Sequence, residues 1–114
     1  MTYECFEVSL EDQVAHIVLS RPEKRNAMSP AFWDELPRIV HQIDDEAMAR
    51  AIVVSSTGPH FSAGLDLQAF DPAQGLGADG GSGDAARRQH GARFYQNVLH
   101  MQRSFSCLEE CRIP

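Results

Sequence analysis

An apolar run, Ala51-Ile52-Val53-Val54-Ser55, leads through a Gly58-Pro59 turn into the small-residue stretch Phe61-Ser62-Ala63-Gly64-Leu65-Asp66-Leu67. The run reads as a buried strand, and the turn residues end it. A strand that opens into small residues brings bare backbone N–H groups to the mouth of a sheet, where a ligand oxygen can approach them closely. Two readings stand side by side: a loop that holds an oxyanion, and an ordinary strand-to-helix connection.

The segments before it frame that strand. Phe6, Val8 and Leu10 alternate with polar neighbours, and after Glu11-Asp12-Gln13 the run Val14 to Leu19 is apolar on both faces. This predicts an antiparallel hairpin leading into the core of a sheet. His16, inside the second strand, reads as a hydrogen-bonded or edge-exposed histidine, since no partner acid is placed by the local sequence. Ser20 to Met28 is a loop with a proline and three cations, Arg21, Lys24 and Arg25, either a solvated turn or a phosphate-neutralising one.

Ser29-Pro30 reads as an N-cap followed by proline at the first helical position. Phe32, Trp33, Leu36, Ile39, Val40 and Ile43 then recur at helical steps, predicting an amphipathic helix of about four turns. Pro37 interrupts the pattern; an interior proline removes one ladder bond, so a kink or a tightened first turn is expected. Strand, helix, strand in this order predicts an α/β layer arrangement with a right-handed crossover.

Beyond the small-residue loop, Asp66 to Phe70 reads as a short helix whose N-terminus faces the same place as the loop amides and adds its partial positive charge there. Residues 71–84 carry five glycines and read as a mobile loop or lid; a glycine-rich phosphate cradle is disfavoured because no Gly-Lys-Ser/Thr follows. From Asp84 onward Phe94, Val98, Met101, Phe105 and Leu108 form one apolar stripe on a long helix, facing the core or another subunit. Arg112-Ile113-Pro114 ends that helix.

Composition narrows the function. A net charge of -6, from 16 acidic and 10 basic residues, disfavours nucleic acid and anionic lipid as partners. No segment is long enough to span a membrane. Three cysteines and a Met-Thr-Tyr-Glu start predict a reducing, cytoplasmic setting. Cys107 and Cys111 stand four apart with no further ligand nearby, so they read as buried or half-buried thiols and no metal is expected.

Two motifs now stand at a definite separation, each after a strand and with a helix between: Arg21-Pro22-Glu23-Lys24-Arg25-Asn26-Ala27 and Phe61-Ser62-Ala63-Gly64-Leu65-Asp66-Leu67. Together they resemble the amino-terminal half of the crotonase superfamily, the enoyl-CoA hydratases and isomerases. Met28 and the Phe32-Trp33 pair are most similar to the dienoyl-CoA isomerase branch.

The resemblance implies an α/β fold, the amino-terminal part of a crotonase-like spiral of ββα units spanning residues 1–114. It also implies an acyl-CoA thioester substrate of fatty-acid β-oxidation type. The thioester carbonyl would accept a hydrogen bond from the backbone N–H of Leu65, and enolate charge on that oxygen would be stabilised there. Ala63, Gly64, Leu65, Asp66 and Leu67 would run along the CoA side. Lys24 and Arg25, with Ala27 beside them, would lie near the CoA phosphates. No cofactor is implied beyond coenzyme A as part of the substrate, and the assembly would be a homotrimer or hexamer.

Family members are expected to be about twice as long. The second oxyanion donor and the catalytic acids would then lie beyond Pro114, and Asp66, Glu109 and Glu110 are not assigned as catalysts. The alternative is a non-catalytic CoA-binding fragment. An unrelated α/β domain whose anion loop takes another phosphorylated ligand is the third reading.

Overall fold

The computed structural model describes residues 2–67 and 83–114. In chain order these form β1 (Phe6–Glu11), β2 (Val14–Leu19), a 3-10 turn (Pro22–Lys24), α1 (Pro30–Asp45), β3 (Ala51–Ser56) and α2 (Asp84–Glu110). The expected helix after Asp66 and the glycine-rich stretch up to residue 82 lie outside the described residues. No described helix is long and apolar enough to cross a membrane.

The hairpin forms because its two-residue loop suits the twist of the strands. Asp12 and Gln13 both sit in the left-handed region, at φ 51° and 65°, as a tight two-residue hairpin connection requires. β1 and β2 pair antiparallel, from Phe6 opposite Leu19 to Glu11 opposite Val14. β3 returns through α1 to lie parallel to β2, giving the order β1-β2-β3.

Two expectations about burial need correction. β2 is not apolar on two buried faces: Ala15, Ile17 and Leu19 are buried, whereas Val14, His16 and Val18 are only half-buried. His16 therefore lies on the central strand and not at an edge. β3 is not a buried strand either, with Val53 43% and Val54 36% exposed. Among the described residues it is the outer strand of the sheet, and on its far side the Ile52 N–H donates to the Pro114 carbonyl at 2.8 Å.

The core lies between the inner face of the hairpin and one stripe of α1. Phe6, Ile17, Leu36, Ile39, Val40 and Ile43 are all buried there, and burial of each such side chain contributes about 1.5–3 kcal/mol. α1 begins as expected, with Ser29 extended at the N-cap and Pro30 at the first turn. The Ser29 hydroxyl does not cap the helix but lies 3.3 Å from the Cys5 thiol. α1 is α-helical without interruption through Pro37, and its first turn is drawn tight as expected, the Phe32 N–H donating to the Ser29 carbonyl three residues back at 2.9 Å.

α2 packs on α1 along its carboxyl-terminal half. Ser104 and Cys107 are the buried residues at this contact, while Phe94 and Phe105 of the predicted apolar stripe are 43% and 48% exposed. Small side chains at the contact let the two helices approach closely. His100 meets Asp34 at 2.8 Å near one end and Arg112 meets Asp44 at 3.0 Å near the other.

Candidate functional site

Parallel pairing puts the carboxyl ends of β2 and β3 side by side, with Leu19 opposite Ser56. The two motif loops therefore leave the sheet from one edge, the position at which open α/β sheets receive ligands. Thr57 joins them at the root: its N–H and its hydroxyl both donate to the Leu19 carbonyl, each at 2.9 Å.

The first loop is wound tightly. After the 3-10 turn, Arg25 and Asn26 both take left-handed backbone, at φ 53° and 52°. Asparagine tolerates that conformation better than most residues. The turn leaves the Lys24 and Arg25 side chains exposed and turns the Asn26 side chain inward, where the residue is only 2% exposed. Arg21 reaches back, its Nη1 3.9 Å from the Cys5 sulfur. Burial pushes the Cys5 thiol pKa up, partly offset by the hydrogen bonds from Ser29 and Arg21.

The second loop lies directly against the first. At Gly58, where φ is +80°, a Cβ would fall 2.9 Å from the Pro22 Cβ, so a larger residue would push the loops apart. Asn26 Nδ2 donates to the carbonyls of Thr57 at 2.8 Å and His60 at 3.4 Å, and its Oδ1 accepts the Arg21 N–H at 2.8 Å. Ser62 Oγ donates to the Asn26 carbonyl at 2.7 Å and accepts the Gly64 N–H at 3.1 Å.

From there the backbones pair. The Ala63 N–H donates to the Arg25 carbonyl at 2.9 Å, the Met28 N–H to the Gly64 carbonyl at 2.8 Å, and the Asp66 N–H to the Met28 carbonyl at 3.0 Å. The last two bonds make a parallel bridge between Met28 and Leu65. In such a bridge the bonds are made by the residues flanking Leu65, so its own N–H faces the opposite side. The N–H groups of Ala63, Gly64 and Asp66 are all taken; that of Leu65 has no acceptor among the described residues.

The structure thus joins Arg25 to Ala63 directly and places Ala27 next to the residue that bridges Leu65. Gly64, Leu65 and Asp66 are half-buried, with the Leu65 side chain packed on the core. Leu67 is 83% exposed and leaves the assembly. Lys24 sits on the exposed 3-10 turn. Beside the loops is an apolar cavity of about 300 Å³, lined by Met28, Phe61 and Ser62 from the motifs and by Phe6, Leu19 and Phe32 from the core.

Glu109 and Glu110 are exposed at the end of α2, and Glu110 lines a separate groove between α1 and α2. Among the described residues no group of three or more His, Cys, Asp or Glu side chains is placed to hold a metal ion. Asn26 and Ser62 belong to the two motifs, but the sequence alone assigns neither a role. The sign was available for Asn26: a residue that tolerates left-handed backbone stood between a charged turn and a helix cap.

Residues 9–79 match the family model described as Enoyl-CoA hydratase/isomerase, a span that takes in both motif loops. The chain belongs to the enoyl-CoA hydratase/isomerase family. Mouse mitochondrial Delta(3,5)-Delta(2,4)-dienoyl-CoA isomerase is 40% identical over 98% of this chain and 33% of its own length. Human enoyl Coenzyme A hydratase domain-containing protein 3 superposes over 97% of this chain and 38% of its own, with a TM-score of 0.71 and 25% identity. An enoyl-CoA hydratase/isomerase of Mycobacterium paratuberculosis superposes over 59% of this chain and 25% of its own, with a TM-score of 0.56 and 28% identity.

The three-stranded sheet with its two helices is accordingly the amino-terminal part of an α/β crotonase fold. The chain spans about a third of the length of the dienoyl-CoA isomerases it matches. These relatives are therefore longer than the twofold expectation, by about one further chain length.

Proposed function

We propose that this enoyl-CoA hydratase/isomerase family chain binds an acyl-CoA thioester of fatty-acid β-oxidation type and holds its carbonyl oxygen at the Leu65 N–H. One observation carries the reading. Of four consecutive loop N–H groups, three are bound to protein acceptors and that of Leu65 is not, among the described residues.

A fixed amide aimed at a thioester oxygen stabilises the negative charge that develops when a proton leaves or joins the adjacent carbon. It needs no reorganisation at that moment, because the neighbouring bonds already hold the loop. The apolar cavity beside Met28 and Phe61 offers volume for an acyl chain. Ala63 to Leu67 line the pantetheine side, and the exposed Lys24 and Arg25, with Ala27 behind them, face the CoA phosphates. Coenzyme A enters as part of the substrate, with no further cofactor.

Assembly as a homotrimer or hexamer belongs to the same proposal, as does a cytoplasmic setting, which the free thiols Cys5, Cys107 and Cys111 favour. Residues 1–114 act in it as one portion of a crotonase-like domain.

Calorimetric titration with an enoyl-CoA, free CoA and the matching acyl pantetheine tests the reading. Saturable binding that weakens when the nucleotide portion is removed is the expected result; no binding by the folded protein overturns it. Binding with no turnover of the enoyl-CoA would select the non-catalytic CoA-binding alternative.

A further inference from the structure

We infer that Asn26 and Ser62 are positioning residues that make Leu65, and not a neighbour, the free donor of the loop. The inference rests on the Leu65 reading and adds to it the side chains that aim the amide.

The loop from Thr57 to Gly64 has no helix or strand of its own to stiffen it. Its path is set by the opposing loop at successive points, one of them the Ala63 N–H bond to the Arg25 carbonyl at 2.9 Å. At the front, both hydrogens of Asn26 Nδ2 are used on the carbonyls of Thr57 and His60 while Oδ1 holds Arg21 N–H. Every side-chain bond that points across is thus made to backbone, by a residue only 2% exposed. In the middle, Ser62 Oγ donates to the Asn26 carbonyl and simultaneously accepts the Gly64 N–H. At the rear, the Met28 bridge takes the Gly64 carbonyl and the Asp66 N–H.

The Ser62 hydroxyl has a further effect. Without it the Gly64 N–H, one residue before Leu65, would be a second unpaired donor. A ligand oxygen could then bind either amide, and the middle of the loop would be tethered by the Ala63 N–H bond to the Arg25 carbonyl alone among the described bonds. Asn26 acts in the same direction from the front. An aspartate of the same shape would keep the Arg21 contact but set an oxygen against the Thr57 and His60 carbonyl oxygens, turning two bonds into repulsion.

The test uses cinnamoyl-CoA, whose conjugated thioester absorbs at longer wavelength when its carbonyl accepts a hydrogen bond. Absorption is read at saturation, so a change in affinity alone does not alter it, and free CoA affinity is measured in parallel. The unsubstituted protein is expected to shift the band to the red. Ser62→Ala and Asn26→Asp are expected to lose most of that shift with CoA affinity little changed, and Ser62→Thr, which keeps the hydroxyl, to retain it. In a full-length version that carries the catalytic acids, kcat for an enoyl-CoA in the first two variants should fall by as much as about 100-fold, the cost of misplacing a group by roughly 1 Å, with KM much less affected.

Full retention of the shift in both Ser62→Ala and Asn26→Asp overturns the inference while leaving the Leu65 reading intact. Loss of the shift in step with CoA affinity and thermal stability also overturns it, since that marks general loosening of the fold. A bound probe with no red shift in the unsubstituted protein overturns the Leu65 reading, and this inference with it.

Discussion

The Ser104 hydroxyl on α2 donates to the Trp33 carbonyl on α1 at 2.8 Å, and Trp33 stands four residues before Pro37. In an α-helix that carbonyl would accept the N–H of residue 37, which proline lacks. The second helix thus supplies the bond that the first cannot make, at a residue with no exposed surface. Ser104→Ala should destabilise the fold by about 1–3 kcal/mol, the cost of a buried carbonyl left without its partner. In a Pro37→Ala background, where the helix regains its own donor, the same substitution should cost less. Denaturant unfolding of the two single variants and the double variant measures that coupling, and strictly additive effects would contradict it.

The nearby Cys107 thiol gives a pH dependence. Burial first, then the charges of Cys111 and Glu110, push its pKa up from 9.0 to about 11. The folded state therefore keeps a proton that the unfolded chain releases at lower pH. The resulting stability is fully present below about pH 9 and is lost as the pH rises toward 11. Thermal melts between these limits should decline less steeply for Cys107→Ala than for the unsubstituted protein. Parallel slopes would mean that the buried thiol does not contribute.

Arg25 has two separable parts. Its carbonyl holds the Ala63 N–H at 2.9 Å, while its side chain is exposed. Reversing the charge in Arg25→Glu leaves that backbone bond available. The expected outcome is CoA affinity weakened by about tenfold, roughly 1.4 kcal/mol. The effect should shrink as salt rises, and binding of acyl pantetheine should be unchanged. Calorimetry at two ionic strengths checks this, and equal CoA affinity would remove the Arg25 side chain from the phosphate site.

How much could be read without coordinates follows sequence distance. The hairpin around Asp12-Gln13 and the helix start at Ser29-Pro30 depend on neighbours a few residues away, and both were legible. The paired motifs were legible as a resemblance, and the structure brings the two loops that carry them together. The exposure of Val53 and Val54 was not, because an apolar run looks the same in a central and an outer strand, and only pairing order distinguishes them. Nor was the role of Asn26, whose bonds to Thr57 and His60 span 31 and 34 residues, or that of Ser104, which lies 71 residues from Trp33. That the Leu65 N–H has no acceptor among the described residues is legible only when both loops are seen together, since it is defined by the three neighbouring amides that found acceptors.

The carbonyl stretch of an enoyl-CoA labelled with carbon-13 at the thioester, bound to the unsubstituted protein and to Leu65→Pro, tests the central claim most directly. Proline deletes the N–H without breaking any bond made by that group among the described residues. The account predicts a stretch moved to lower frequency in the unsubstituted complex and returned toward its value in water-free solvent in Leu65→Pro. CoA itself should remain bound, and in a full-length version that carries the catalytic acids turnover should fall by about 100- to 1,000-fold, as on loss of one oxyanion donor. The same carbonyl frequency in both complexes would contradict it.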